Sequence, residues 1–233
     1  EGRRTVTIER SFAVAIHETT IEQFRRFQAD AEYATDVSPD NRCPMNRISW
    51  LQAVRYCRWL SEQEGLPEEQ MCYPPLDQIT PAWVVTDQLV SRSGYRLPTE
   101  AEWEFVCRAG AETRWCCGIS EAHLPQFAWF AHDSQEHLWP VGLLRPNLLG
   151  LFDIHGNVGE WCHLEPAVEG LYDGLPAGYV VGLNGEPSGA TRQAFRGGSY
   201  QNTPKRLRSA QRFFLPVGDR NSFFGFRIAR TLP

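Results

Sequence analysis

Three stretches of the chain repeat apolar residues at helical spacing. Each opens on a hydroxyl residue with Glu or Gln three positions later, the pairing that satisfies orphan amides at a helix start. Thr19 with Glu22 predicts a first helix with Ile21, Phe24 and Phe27 inward. Ser49 with Gln52 predicts a second, where Trp50, Val54, Cys57 and Leu60 form the apolar stripe and Gly65 is a left-handed stop. Thr99 with Glu102 predicts a third, with Trp103, Val106 and Cys107 inward and Gly110 at its end. Short apolar runs predict strands at RTVTI, FAVAI, QAFRG and FGFRIAR. Elsewhere the periodicity fades: Pro67, Pro74, Pro75 and Pro81 interrupt residues 66–95, and residues 164–190 are rich in Gly and Pro, so both read as long ordered loops. The pattern is mixed α/β (α+β) with low regular secondary structure. In such a chain side chains must satisfy much of the buried backbone, and Trp, Asn and Arg are plentiful.

The 233 residues are 42% hydrophobic and 22% charged, with 8 Trp and 13 Phe, which excludes a disordered or fibrous chain and suits a single domain over residues 1–233. No apolar run approaches the roughly 20 residues of a bilayer-spanning helix. The opening EGRRTVTIER lacks a secretory signal's apolar stretch, so a soluble chain is expected. Its start at Glu1 without Met reads as a fragment of something longer or a processed product. The net charge of −5 hides an asymmetry: residues 196–233 carry seven Arg and one Lys against Asp219, a +7 segment on a −12 remainder. An acidic chain does not suit a binder that neutralises many phosphates, so nucleic acid is not an expected partner. The seven Cys, at 43, 57, 72, 107, 116, 117 and 162, form no C-x-x-C pair and read as buried free thiols in a reducing, cytoplasmic setting. A metal or redox site at adjacent Cys116 and Cys117 is the alternative, although the pair lacks the spacing signature of one. The six His include no i, i+4 pair on a predicted helix, and His132 and His137 read as loop or strand-end residues.

Four motifs occur in order: GYRLPTEAEWEFVCRAG (94–110), PNLLGLFDIHGNVGEW (146–161), FRGGSY (195–200) and FGFRIAR (224–230). Together they resemble the formylglycine-generating enzyme, or sulfatase-modifying factor, family, and FAVAIHETTIEQFRRF is similar to that family's opening strand and helix. The glycine-bearing strand that usually precedes it is absent. The resemblance implies a C-type-lectin-like, formylglycine-generating-enzyme-type fold. Its oxidising members bind Cu(I) through two Cys thiolates after the Gly-Gly-Ser-aromatic motif, and soft thiolates suit that ion. Counted from Gly197-Gly198-Ser199-Tyr200, those positions fall on Asn202 and about Leu207, and no Cys follows Cys162 and no His follows His163. Copper is therefore not expected, and neither is conversion of a sulfatase cysteine to formylglycine. The sulfoxide synthases of ergothioneine biosynthesis share only this half of their chain, and nothing here replaces their N-terminal iron-binding His set.

The expectation that remains is a non-catalytic ligand- or protein-binding domain, part of a larger bacterial protein, acting through residues 196–226. The contacts expected are Tyr200, Gln201, Asn202, Lys205, Arg206, Gln211, Arg212, Phe213, Phe214, Leu215, Ser222 and Phe223. Rigid rings beside Arg and Asn supply contact area at low entropic cost, while core packing is the alternative for the same rings. Arg196, Arg208 and Arg227 read as forks tying backbone carbonyls, and Lys205, Arg206 and Arg212 as groups that meet an anionic partner. The segment is also similar to the variable region of lectin-fold proteins diversified by retroelements. Phe213, Phe214, Leu215, Val217, Ser222 and Phe223 are compatible with adenine-directed replacement of Asn codons, whereas Gln201, Lys205, Arg206 and Gln211 weaken that reading. Calcium is the one ion left open. Residues 146–153 correspond to a calcium-holding loop of catalytic relatives, which implies Asn147 and the carbonyls of Leu148 and Gly150 as ligands; a tight turn held by Asn147 is the alternative. Asn157 and Glu160 read as backbone caps or as groups serving a cation, and Gly159 stands where relatives usually carry Trp. Domains of this kind are often joined to protein kinases in bacteria, so the expected partners are a protein, peptide or small-molecule ligand and a fused kinase or other effector domain.

Overall fold

A computed structural model describes residues 5–81, 83, 87–164 and 192–233. Strand β1 (Phe12–Val14) leads to α1 (Ile21–Arg25), α2 (Trp50–Gln63), β2 (Tyr95–Arg96) and α3 (Glu100–Arg108). Short strands follow: β3 (Ala128–Trp129), β4 (His155–Gly156), β5 (Gly159–Trp161), β6 (Arg192–Arg196), β7 (Phe213–Pro216), β8 (Phe224–Gly225) and β9 (Ala229–Thr231). The architecture is the mixed α/β one that the pattern predicts.

Capping chemistry places α2 and α3 where expected, with reciprocal bonds between Ser49 and Gln52 and between Thr99 and Glu102. α1 starts one residue later than expected: Thr20 Oγ1 accepts from the Gln23 amide (3.2 Å) and Gln23 Oε1 accepts from the Thr20 amide (2.9 Å). The reason is tertiary. Thr19 is buried, its N–H donates to Phe226 O (2.9 Å) and its carbonyl accepts from the Met45 amide (2.8 Å), which holds it extended outside the helix. Phe27 lies beyond the helix end but still packs on the core. Ala109 is the left-handed C-cap of α3 (φ 47°), and Gly110 follows it with a positive φ as well (+86°).

β9 is flanked antiparallel by β1 and β2, the four-stranded sheet runs β7-β6-β5-β8, and β3 pairs in parallel with β4. FGFRIAR does not form one strand. Its first part pairs with β5 as β8, its last part joins the other sheet as β9, and Arg227 sits at the crossover. There the fully buried guanidinium donates to Glu160 (2.7 and 2.8 Å) and to the carbonyls of Ala15 and Phe152 (both 3.0 Å). Among the residues of RTVTI that are described, Thr5–Ile8 form no strand. The Pro-rich stretch contains the short 3-10 turns Glu68–Gln70 and Asp87–Ser91, and the Gly- and Pro-rich loop falls almost wholly outside the described residues.

The main core gathers Phe24, Trp50, Val54, Cys57, Trp161, Phe195 and Phe226. A second packs Trp103, Val106 and Cys107 of α3 against Leu151, Ile154 and Ala194. Large side chains of this kind contribute about 1.5–3 kcal/mol each on burial. α3 is further anchored by its polar side: Arg96 meets Glu102 (2.6 Å), Arg196 meets Glu100 (3.2 Å), and Trp103 Nε1 donates to Glu160 (2.7 Å). Among the described residues no helix is long and apolar enough to cross a membrane.

Candidate functional site

β6 runs into Gly197 (φ +90°) and Gly198 (φ +71°), a left-handed pair. A Cβ on Gly198 would stand 2.9 Å from the Arg206 carbonyl oxygen, so glycine is what lets residues 204–207 close over the turn. Asn202 then locks the reversal, its Oδ1 accepting from the Ser199 amide (3.0 Å) and hydroxyl (3.3 Å). Leu207, ending the 3-10 turn Pro204–Leu207, is fully buried with Trp115, Leu124 and Phe130. His155 Nδ1 lies 2.7 Å from the Leu207 carbonyl, and burial pulls this imidazole down to about 4. The ring is therefore neutral with its proton on Nδ1. Its Nε2 accepts from the Cys116 amide (3.2 Å) and lies 3.7 Å from the Cys107 sulfur. The two positions that the resemblance assigns to copper thiolates thus hold an amide engaged in a turn and an aliphatic core residue. That donor set does not fit Cu(I).

β7 distributes the aromatic cluster over two faces, as strand alternation dictates. Phe213 and Leu215 pack toward the main core and Phe214 toward the α3 core, all half-buried. On the first face the exposed Arg206 guanidinium lies over the Phe213 ring at 5.5 Å. Phe213 pairs across the strands with Phe195, and rings continue to Phe224 (4.7 Å) and Phe223 (4.9 Å). The buried Tyr200 hydroxyl accepts from Gln201 (2.9 Å) and lies 3.4 Å from Ser222 Oγ, which joins those side chains to Phe223. A Cβ at Gly159 would come within 2.2 Å of the Phe195 ring, so that ring fills the space a Trp would need.

Other expected contacts separate from this face. Arg212 lies over Phe214 (5.1 Å) and donates to Glu100 (2.6 Å), so its charge is paired within the molecule on the other side of β7. Gln211 accepts from Arg208 (2.9 Å) and donates to the Arg212 carbonyl (3.3 Å), while Lys205 is exposed and gives its carbonyl to Arg208 (3.0 Å). Arg196, Arg208 and Arg227 tie backbone carbonyls as expected. Asn147 Oδ1 accepts from the amides of Leu149 (3.0 Å) and Leu151 (3.1 Å), and Nδ2 donates to Val106 O (2.7 Å). Its side chain closes the turn, Leu148 is 88% exposed, and Gly150 is left-handed (φ +84°). In this geometry Asn147 offers calcium no free oxygen. Among the described residues no group of three His, Cys, Asp or Glu is placed to hold a metal ion.

Two features escape sequence reasoning. Trp129 stacks on Trp139 (4.6 Å) with His137 against the latter (4.5 Å), next to Asn202, whose carbonyl accepts from the Ala131 amide (3.1 Å). Glu18 and Asp153 are also buried, and burial first, then neighbouring carboxylates, pushes both up, Asp153 to about 6. No local pattern marks either, because their surroundings come from distant segments.

The family profile described as "Sulfatase-modifying factor enzyme 1-like domain" matches residues 1–232. The formylglycine-generating enzyme of Streptomyces coelicolor is 31% identical over 213 residues, 84% of this chain and 55% of that protein. The serine/threonine-protein kinase pkn1 of Chlamydia caviae is 30% identical over 221 residues, 94% of this chain and 33% of the kinase. The chain therefore spans a third to just over half the length of these curated relatives. Among solved structures, Treponema denticola variable protein 1 superposes with a TM-score of 0.71 at 27% identity, covering 95% of this chain and 84% of that one.

Proposed function

Since the chain belongs to the sulfatase-modifying factor enzyme 1-like domain family, we propose that it is a non-catalytic recognition domain. It binds a protein, peptide or small molecule through the face built by Gln201, Arg206, Phe213, Ser222 and Phe223. The observation that carries this reading is the structural engagement of Asn202 and Leu207, which leaves the family's thiolate positions without sulfur. Arg206 over Phe213 beside half-buried rings supplies what a recognition surface uses: flat apolar area with a charged rim. The domain works as one part of a longer bacterial protein, a reading supported by the match that covers only a third of the Chlamydia kinase.

The test is selection of displayed peptides on the wild-type protein, followed by affinity measurements on variants. Phe213→Ala, Phe223→Ala and Arg206→Ala each weaken binding by about tenfold or more, whereas Phe214→Ala, on the other face, leaves it within about twofold. Equal losses at Phe213 and Phe214 would remove the proposed face. Formation of an aldehyde when the protein is incubated with Cu(I), oxygen, reductant and a sulfatase-type cysteine peptide would overturn the non-catalytic assignment. A second reading, a receptor varied by a retroelement, is supported by the likeness to the Treponema variable protein. It requires a template repeat and a reverse transcriptase beside the gene, and their absence ends it.

A further inference from the structure

Five of the seven cysteines are buried, and Cys116 and Cys117 alone are half-exposed. They are the two central residues of a tight turn whose flanks, Trp115 and Gly118, exchange backbone hydrogen bonds (3.3 and 3.1 Å). The turn carries both residues at its tip. The interaction of the two adjacent thiols holds Cys117 below the usual thiol range and, with burial, pushes Cys116 above it. A sulfur with thiolate character beside a protonated thiol is the arrangement in which one attacks an oxidant and the other resolves the product.

The turn is also fastened to the 204–209 segment. Trp115 Nε1 donates to the Pro204 carbonyl (3.2 Å), and the Ser209 amide donates to the Arg114 carbonyl (2.8 Å). His155 bridges the Cys116 amide and the Leu207 carbonyl.

We infer that the Cys116–Cys117 turn is a reversible redox site, a dithiol that hydrogen peroxide closes to a vicinal disulfide, and that its state is transmitted to residues 204–209. The Cys117 thiolate attacks the peroxide O–O bond, forming a sulfenic acid and releasing hydroxide, which takes up a proton. The Cys116 sulfur then displaces the sulfenic hydroxyl, and its own proton leaves with that group as water. Two thiols and one peroxide thus give one disulfide and two waters. A thiol reductant reverses the reaction by exchange. Adjacent Cα atoms lie about 3.8 Å apart, short of the roughly 4.4–6.8 Å that disulfides favour. The closed form is therefore strained and readily reduced, as a regulatory bond is. Closure changes the backbone torsions at Cys116, which moves its amide, part of the Trp115–Cys116 peptide, away from His155 and with it loosens the support of Leu207.

The experiment needs no ligand, so its outcome is separate from the binding reading. The reduced full chain is titrated with hydrogen peroxide, alkylated with iodoacetamide without denaturant and mapped by mass spectrometry. Reduced protein takes label at Cys116 and Cys117. Equimolar peroxide removes both labels together with a loss of two hydrogens from that peptide, and dithiothreitol restores them. In Cys116→Ser, Cys117 stops at a sulfenic acid that dimedone traps. Hydrogen exchange at the Ser209 amide rises roughly tenfold on oxidation. Labels that survive equimolar peroxide, or a crosslink to Cys107 or to a second chain, would overturn the site. A formed disulfide with unchanged exchange at Ser209 would overturn the transmission.

Discussion

Asp153→Asn is expected to stabilise the protein at neutral pH and to lose that advantage in acid. Asp153 is 1% exposed, and one oxygen accepts from the Gly142 amide (2.7 Å) while the other, Oδ1, has no hydrogen-bond partner. Burial, and to a lesser degree the Glu160 carboxylate, lifts its pKa from 3.8 to about 6, against the opposing pull of the Gly142 amide and Arg227. Below about pH 4 the carboxyl is protonated in both folded and unfolded chains and carries no penalty. Between pH 4 and 6 the unfolded chain loses its proton first, so stability falls as pH rises. Above pH 6 the folded state retains the full penalty, about 2 units at 1.36 kcal/mol each, or about 3 kcal/mol. Asn keeps the acceptor for Gly142 and tolerates the left-handed backbone (φ 54°) at this position. Its buried NH2 lowers the gain by about 1 kcal/mol, which leaves about 2 kcal/mol. Urea unfolding at pH 4, 6 and 8 reads this as a midpoint shift near zero at pH 4 and about 1 M upward at pH 8. The exposed Asp219→Asn serves as control and is expected to be neutral. Parallel pH curves for Asp153→Asn and wild type, or a loss at pH 8, would refute the reasoning, because the carboxylate would then be favourably paired.

Arg227→Met leaves Glu160 buried with only Trp103 Nε1 and removes donors from the Ala15 and Phe152 carbonyls, so a loss of about 3–5 kcal/mol is expected in urea unfolding. Adding Glu160→Gln recovers part of that loss, and no recovery would mean the charge was not the cause. Gly159→Trp forces the Phe195 ring aside and costs at least about 1–3 kcal/mol, and combining it with Phe195→Ala restores thermal stability; a neutral single variant would show that the ring does not fill that space. Because Asn147 Oδ1 already accepts from two amides, millimolar calcium followed by a chelator leaves the melting temperature unchanged, and a rise of about 3 °C or more would support calcium binding at this loop instead.

What could be read without coordinates was whatever neighbouring residues decide among themselves. Ser49 with Gln52 and Thr99 with Glu102 are cap and partner within one turn, and the apolar stripes that follow need only the helical repeat, so α2 and α3 were legible. The four ordered motifs likewise pointed to the fold, and the absence of sulfur at Asn202 and Leu207 was visible by counting. Tertiary structure decided everything whose partner lies far along the chain. Phe226 and Met45 hold Thr19 out of α1, Arg227 turns FGFRIAR from one strand into two, and Glu100 draws Arg212 away from the Phe213 face. His155 and Pro204 bring the Cys116–Cys117 turn beside Leu207 although nearly ninety residues separate them. In each case a buried hydrogen bond or ion pair outweighs local propensity, and no window of sequence contains both of its ends.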